Sequence, residues 1–147
     1  MRRGKVLLVE DNADDVTFVR MAFRKNRADE ALEVVSNGSE AIQYLGGEGP
    51  YSDRQKYPVP GLLLLDLRLP VVDGFEVLKW VRAHQGLSRL PIAVLTGSEY
   101  PQHRQRAYEL GANSFMIKPG GLEEFFAMMD SVLGFWLNCC ELPEVRA

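Results

Sequence analysis

Four places in the chain carry side chains suited to phosphate or metal chemistry: Glu10-Asp11, Asp66, Thr96 and Lys118. Each closes a short apolar run, most plainly Leu62-Leu63-Leu64-Leu65-Asp66. Buried parallel strands read as continuous apolar runs, and open α/β sheets bind ligands beyond the carboxyl ends of their strands. An acid in that place is better suited to chemistry than to packing. Carboxylates gathered within ~4 Å repel by about 4 kcal/mol per pair at an effective dielectric near ~20, so they stay ionised together only around a cation. Oxygen-only donors with open positions suit Mg²⁺. A carboxylate can also act as a nucleophile and become an aspartyl phosphate. Phosphoryl transfer then requires the charge on the phosphoryl oxygens to be neutralised by the metal and by a lysine, the place Lys118 would take. Thr96 could donate a hydroxyl hydrogen bond to the same group.

Taken singly, each residue has a plainer reading. Glu10-Asp11 could cap a following helix, Asp66 could cap a loop, Thr96 could be an idle strand-end hydroxyl, and Lys118 a solvated surface lysine. The combination argues against all four plain readings holding at once.

The elements that must position these residues follow from periodicity. Strands are predicted at 5–9, 31–35, 62–66, 91–96 and 113–117, each short, apolar and bounded by turn residues. Between the first two, Val16, Val19 and Phe23, with Phe18 and Ala22, give a helical stripe. Asp14 and Asp15 sit in its first turn, where the helix dipole favours negative charge. Further helices are predicted at 39–45 after Asn37-Gly38, at 75–84 with Phe75, Leu78 and Val81 inward, and at 100–110. The helix at 100–110 is polar, has Pro101 in its first turn and Gly111 as its C-terminal cap. The last helix places Leu122, Phe125, Phe126, Met129, Val132, Leu133 and Trp136 on one side. Residues 46–60, with Gly46-Gly47, Gly49-Pro50 and Pro58-Val59-Pro60, read as the one irregular segment. That is long for a connection inside a compact domain.

Strands alternating with helices imply a parallel sheet covered on both faces. Right-handed crossovers leave few topologies, among them the flavodoxin-like doubly wound order 2-1-3-4-5. In that order the first and third strands are neighbours, which sets Glu10-Asp11 beside Asp66. One domain is expected over 1–147, with its core at 5–137 and a short tail at 138–147.

Composition is that of an ordinary soluble protein: 46% hydrophobic, 25% charged, net charge −3. It offers no basic footprint for nucleic acid. No apolar run reaches the ~18 residues of a membrane span, and the run at 6–9 is too short for the core of a signal peptide. A cytoplasmic location is expected. Cys139 and Cys140 form neither a disulfide framework nor a zinc spacing. They read as two tail thiols, and His84 and His103 read as surface residues.

The motifs Val9-Glu10-Asp11-Asn12, Leu65-Asp66-Leu67-Arg68-Leu69-Pro70 with Asp73-Gly74, Leu95-Thr96-Gly97 and Phe115-Met116-Ile117-Lys118-Pro119 together resemble the receiver domain of two-component response regulators. The likeness runs from about residue 5 to 137. It is similar to stand-alone receivers such as the chemotaxis regulator, and the loop at 46–60 resembles that of receivers partnering bacterial phytochromes. The resemblance implies that Asp66 accepts a phosphoryl group from a sensor histidine kinase. It implies that Asp11, Asp66 and the Arg68 carbonyl bind Mg²⁺, with Glu10 assisting, and that Lys118 holds a phosphoryl oxygen. It further implies that Thr96 and Phe115 switch together, flanked by Gly97 and Pro119, and that the Lys118–Pro119 peptide is cis. The readout surface would be the fourth helix, fifth strand and fifth helix, meeting a downstream protein or a second copy in a homodimer. Arg68 departs from the Met or Asn frequent two residues past the acceptor.

Two other functions remain open on the residues. An Asp-nucleophile phosphohydrolase of the haloacid dehalogenase type would want a second Asp at the position of Arg68. A pseudo-receiver, a binding module that is never phosphorylated, would be expected to have lost one of the acids or the lysine.

Overall fold

The structure, a computed structural model, describes residues 4–146. Strands β1 (Val6–Val9), β2 (Leu32–Val35), β3 (Leu62–Leu65), β4 (Ile92–Thr96) and β5 (Ser114–Ile117) form one parallel sheet in the order β2-β1-β3-β4-β5. The helices are α1 (Ala13–Lys25), α2 (Gly38–Gly46), α3 (Gly74–Ala83), α4 (Pro101–Glu109) and α5 (Leu122–Leu133). This is the flavodoxin-like doubly wound fold.

The strands are buried on both faces, which is why their sequences read as unbroken apolar runs. Alternation still sorts the side chains. Leu7, Val9, Leu63, Leu65, Ile92 and Val94 pack with α2, α3 and Ala107 of α4. Val6, Leu8, Leu62, Leu64, Ala93 and Leu95 pack with α1 and α5. Fully burying one such side chain contributes roughly 1.5–3 kcal/mol, so the quartet in β3 is a rigid base for the acid that follows it.

Three helices begin with the same device. Asn12, Asn37 and Asp73 each precede a helix, and their side chains accept the backbone N–H of Asp15, Glu40 and Glu76 at 3.0, 2.8 and 3.0 Å. Asn and Asp are favoured there because their oxygens satisfy N–H groups that have no partner inside the helix. Gly74, next to its cap, is required sterically. A Cβ on it would lie 2.3 Å from the Asp66 carbonyl oxygen and 2.6 Å from Leu67 Cα. The start of α3 is thereby pressed against the backbone that carries Asp66.

Three expectations need correction. The segment 46–60 is not irregular throughout. It holds a 3-10 turn at Gly49–Tyr51, and the Arg54 guanidinium donates to the carbonyls of Tyr44, Leu45 and Tyr57 at 2.7, 2.6 and 3.0 Å. Arg54 thus caps the end of α2, and Tyr44, Tyr51 and Tyr57 cluster over it with ring centroids 5.0–5.9 Å apart. Leu122 does not join the core side of α5; it stands at the helix start, 45% exposed. The Lys118–Pro119 peptide is trans, like every described peptide bond, the intrinsically favoured isomer of an X–Pro amide. The tail packs against the domain. After the π-helical turns Gly134–Cys139, Leu142 lies against Gly61, Val145 packs on the core, and the Arg146 N–H donates to the Gly86 carbonyl at 2.8 Å. Cys139 and Cys140 are free thiols.

Candidate phosphoacceptor site

Register builds the site. Val9 pairs with Leu65 across β1 and β3, and the Asp66 N–H then donates to the Val9 carbonyl at 3.1 Å. On the other side of β1 the Glu10 N–H donates to the Val35 carbonyl at 3.1 Å. Thr96 pairs with Ile117 across β4 and β5, and the Lys118 N–H donates to the Thr96 carbonyl at 2.8 Å. Glu10, Asp66, Thr96 and Lys118 therefore sit at, or one step past, the carboxyl ends of their strands, and Asp11 two steps past. The ladder that stabilises the sheet also fixes their spacing.

Three of the expected acids meet. Carboxylate oxygens of Glu10, Asp11 and Asp66 all lie within 4.8 Å of one another. Glu10 and Asp66 are buried and Asp11 is exposed. Such a hard-oxygen set, closed on the protein side and open to solvent through Asp11, fits a divalent cation that keeps part of its water shell. The Asp66 side chain is held by the Arg68 N–H, which donates to its Oδ1 at 3.2 Å, and by Lys118.

Lys118 reaches across from β5. Its ammonium donates to Glu10 Oε1, to Asp15 Oδ2 at 2.8 Å and to Asp66 Oδ2 at 3.3 Å. Burial alone would lower its pKa; the hydrogen bonds to Asp15 and Glu10 and the charge of Asp66 more than offset this, and the pKa is raised. Glu10 moves oppositely to an ordinary surface acid. Burial pushes its carboxyl up to about 7, against the pull of Lys118 and with the neighbouring Asp66 carboxylate adding to the rise. Without a cation the site thus crowds negative charge that the single lysine does not balance.

Thr96 is fully buried, and its Oγ1 accepts the Ser98 N–H at 3.3 Å. Gly97 is exposed, with open space where a Cβ would stand. Phe115 is half-buried against the α3 side of the core, and its N–H donates to the Tyr108 hydroxyl at 3.1 Å. Pro119 lines a groove of about 250 Å³ with Asp15, Phe18, Lys118, Gly120, Leu122 and Phe125. Arg68 points into solvent.

Sequence reasoning missed two participants. Asp15 was read as a helix-dipole residue, yet it bonds Lys118. Asp11 precedes the cap of α1 and Asp15 lies in its first turn, so no helical spacing links the two, and the contact with Lys118 joins positions 103 residues apart. His103 was read as a surface residue, yet its Nδ1 lies 2.5 Å from the buried Ser98 hydroxyl and its ring packs edge-on to Phe75 and Tyr100. No local pattern announces that contact.

Comparison with known proteins agrees with this geometry. A family model for the response regulator receiver domain matches residues 6–130. Response regulator Rcp1 of Synechocystis sp. is 35% identical over 138 residues, covering 94% of this chain and 92% of that protein. The crystal structure of the phosphorylated cyanobacterial phytochrome response regulator RcpA superposes with a TM-score of 0.91 at 33% identity, covering 97% of this chain and 100% of that one. The Mn²⁺-bound form of Rcp1 gives a TM-score of 0.87 at 34% identity, with 95% and 99% covered. With its strand order, its acid cluster and its lysine in their expected places, the chain belongs to the response regulator receiver domain family of two-component signalling.

Proposed function

We propose that Asp66 is the phosphoacceptor and that the chain receives its phosphoryl group from a sensor histidine kinase. The observation that carries this is the Asp66 carboxylate itself: it shares a cation-sized acid cluster with Glu10 and Asp11 and is hydrogen-bonded to Lys118. The cation would be Mg²⁺, which Asp11, Asp66 and the Arg68 carbonyl would hold with Glu10 assisting, and it would supply positive charge to screen the phosphoryl oxygens. One Asp66 oxygen attacks phosphorus, the bond from phosphorus to the donor breaks, and Lys118 holds a phosphoryl oxygen. The position two residues on is Arg68, where an Asp-nucleophile phosphohydrolase of the haloacid dehalogenase type would carry a second Asp. The protein is a signalling receiver whose only chemistry is at its own Asp66.

The kinase is of the phytochrome type, by likeness to relatives described as phytochrome response regulators. Thr96 and Phe115 act as the switch. The readout face is α4, β5 and α5, which offers Tyr100, Tyr108 and Ile117 to solvent and has in α4 a helix with only Ala107 buried. A downstream protein or a second copy would dock there. One receiver domain accounts for the chain, and no helix among the described residues is long and apolar enough to cross a membrane.

The test is phosphotransfer from an autophosphorylated histidine kinase with Mg²⁺ present. Wild type should take the label; Asp66→Asn should not, and chelation of Mg²⁺ should stop transfer. Equal labelling of the variant would overturn the assignment. Absence of labelling in wild type, by kinase and by acetyl phosphate alike, would favour the pseudo-receiver.

A further inference from the structure

An ammonium group has three N–H donors and no acceptor. In Lys118 all three face carboxylates: Glu10, Asp15 at 2.8 Å and Asp66 at 3.3 Å. Glu10 and Asp66 have places in the reaction described above. Asp15 has none. It sits in the first turn of α1, and its side chain keeps 26% of its surface while that of Lys118 keeps 13%. Its bond to Lys118 is shorter than that of Asp66, the residue the lysine must serve.

A phosphoryl group arriving at Asp66 needs one of these donors for its own oxygen. The lysine can provide it only by loosening a bond to a carboxylate. Asp15 also adds a negative charge beside the path of a dianionic group, at a position reached through a single lysine. We infer that Asp15 is a positioning residue that competes with the phosphoryl group for the Lys118 ammonium, and so holds the unphosphorylated site in a state slow to accept phosphate donors. The inference rests on Asp66 being the phosphoacceptor. It assigns to Asp15 the setting of how readily the site loads.

Asp15→Asn keeps size and a carbonyl acceptor but removes the charge. At saturating Mg²⁺ it should be phosphorylated by acetyl phosphate about tenfold faster than wild type and bind fluoroberyllate about tenfold more tightly, the size of one close, partly screened charge interaction. Asp15→Ser, also neutral, should move both quantities the same way. Asp15→Glu, which keeps the charge, should stay within about twofold of wild type. A merely structural role in α1 would slow loading and weaken binding, the opposite direction. Neutral variants that load no faster and bind fluoroberyllate no more tightly than wild type would overturn the inference while leaving Asp66 as acceptor. A wild-type protein that neither labels nor binds fluoroberyllate would overturn the phosphoacceptor reading, and this inference with it.

Discussion

At the scale of the residue, the proposed reaction draws on side chains whose charge and neighbours are already set. Glu10 is driven toward its neutral form by burial, and Lys118 is held charged by the acids around it. Thr96 has the subtler task. Its hydroxyl accepts the Ser98 N–H, and Ser98 in turn bonds His103 at the start of α4. Movement of Thr96 toward a phosphoryl oxygen would therefore release the loop on which α4 begins. Charge-assisted bonds to a phosphoryl group supply the energy such a change needs. Thr96→Ala is expected to accept phosphoryl groups at close to the wild-type rate. It should lose most of the phosphorylation-dependent gain in partner affinity, a gain of roughly 5- to 150-fold in typical coupled systems. Parallel labelling and binding assays check this. Undiminished phosphorylation-dependent binding would remove Thr96 from the switch.

At the scale of the element, one feature presses on the Asp66 backbone and another ties α2 to the chain on either side of it. The first is Gly74. Because a Cβ there would collide with the Asp66 carbonyl and Leu67 Cα, Gly74→Ala should force α3 away from the acceptor backbone. Overpacking of this kind costs roughly 1–3 kcal/mol, measurable as a lower urea midpoint, and phosphorylation should slow with it. The second is the start of α2. Glu40 accepts the Ser36 N–H and hydroxyl, each at 3.1 Å, and the Tyr51 hydroxyl at 3.0 Å. The Ser36 backbone bond leads in holding its carboxyl below the usual range, with burial opposing. A depressed acid contributes stability that is present above its unfolded pKa and lost as pH falls through its folded value. Stability should therefore decline below about pH 4.5. Glu40→Gln should flatten that decline, and Glu40→Ala should also cost about 1 kcal/mol at neutral pH through loss of these hydrogen bonds. Urea titrations at several pH values read both effects.

At the scale of the whole molecule, the sheet order and the alternation of strand and helix were legible in the sequence, because buried parallel strands and amphipathic helices leave strong periodic marks. Glu10, Asp11, Asp66, Thr96 and Lys118 were legible too, since each sits at the end of such a strand. Contacts made by long side chains across space were not. Arg54 over the end of α2, Asp15 on Lys118 and Ser98 on His103 join segments whose spacing carries little or no periodic signal. The tail was hidden for a similar reason: Leu142 and Val145 are too few to form a pattern, yet Leu142 lies against Gly4 and Gly61, just before the amino ends of the central strands β1 and β3, and Val145 packs on the core. Truncation after Cys140 should cost about 1–3 kcal/mol and lower Tm by several degrees, about 2–4 °C per kcal/mol at this size. Phosphorylation should be unchanged. Calorimetry beside a labelling assay separates the two effects.

The central claim is that one carboxylate, Asp66, carries the signal as an acyl phosphate. Reductive trapping tests it most directly. Protein loaded with acetyl phosphate and Mg²⁺ is treated with borohydride, which converts an aspartyl phosphate to homoserine, and the peptides are mapped by mass spectrometry. Homoserine at position 66 alone, and none after Asp66→Asn or after chelation of the metal, is the predicted result. Homoserine at another acid, or trapping that survives the loss of Asp66, would contradict the account.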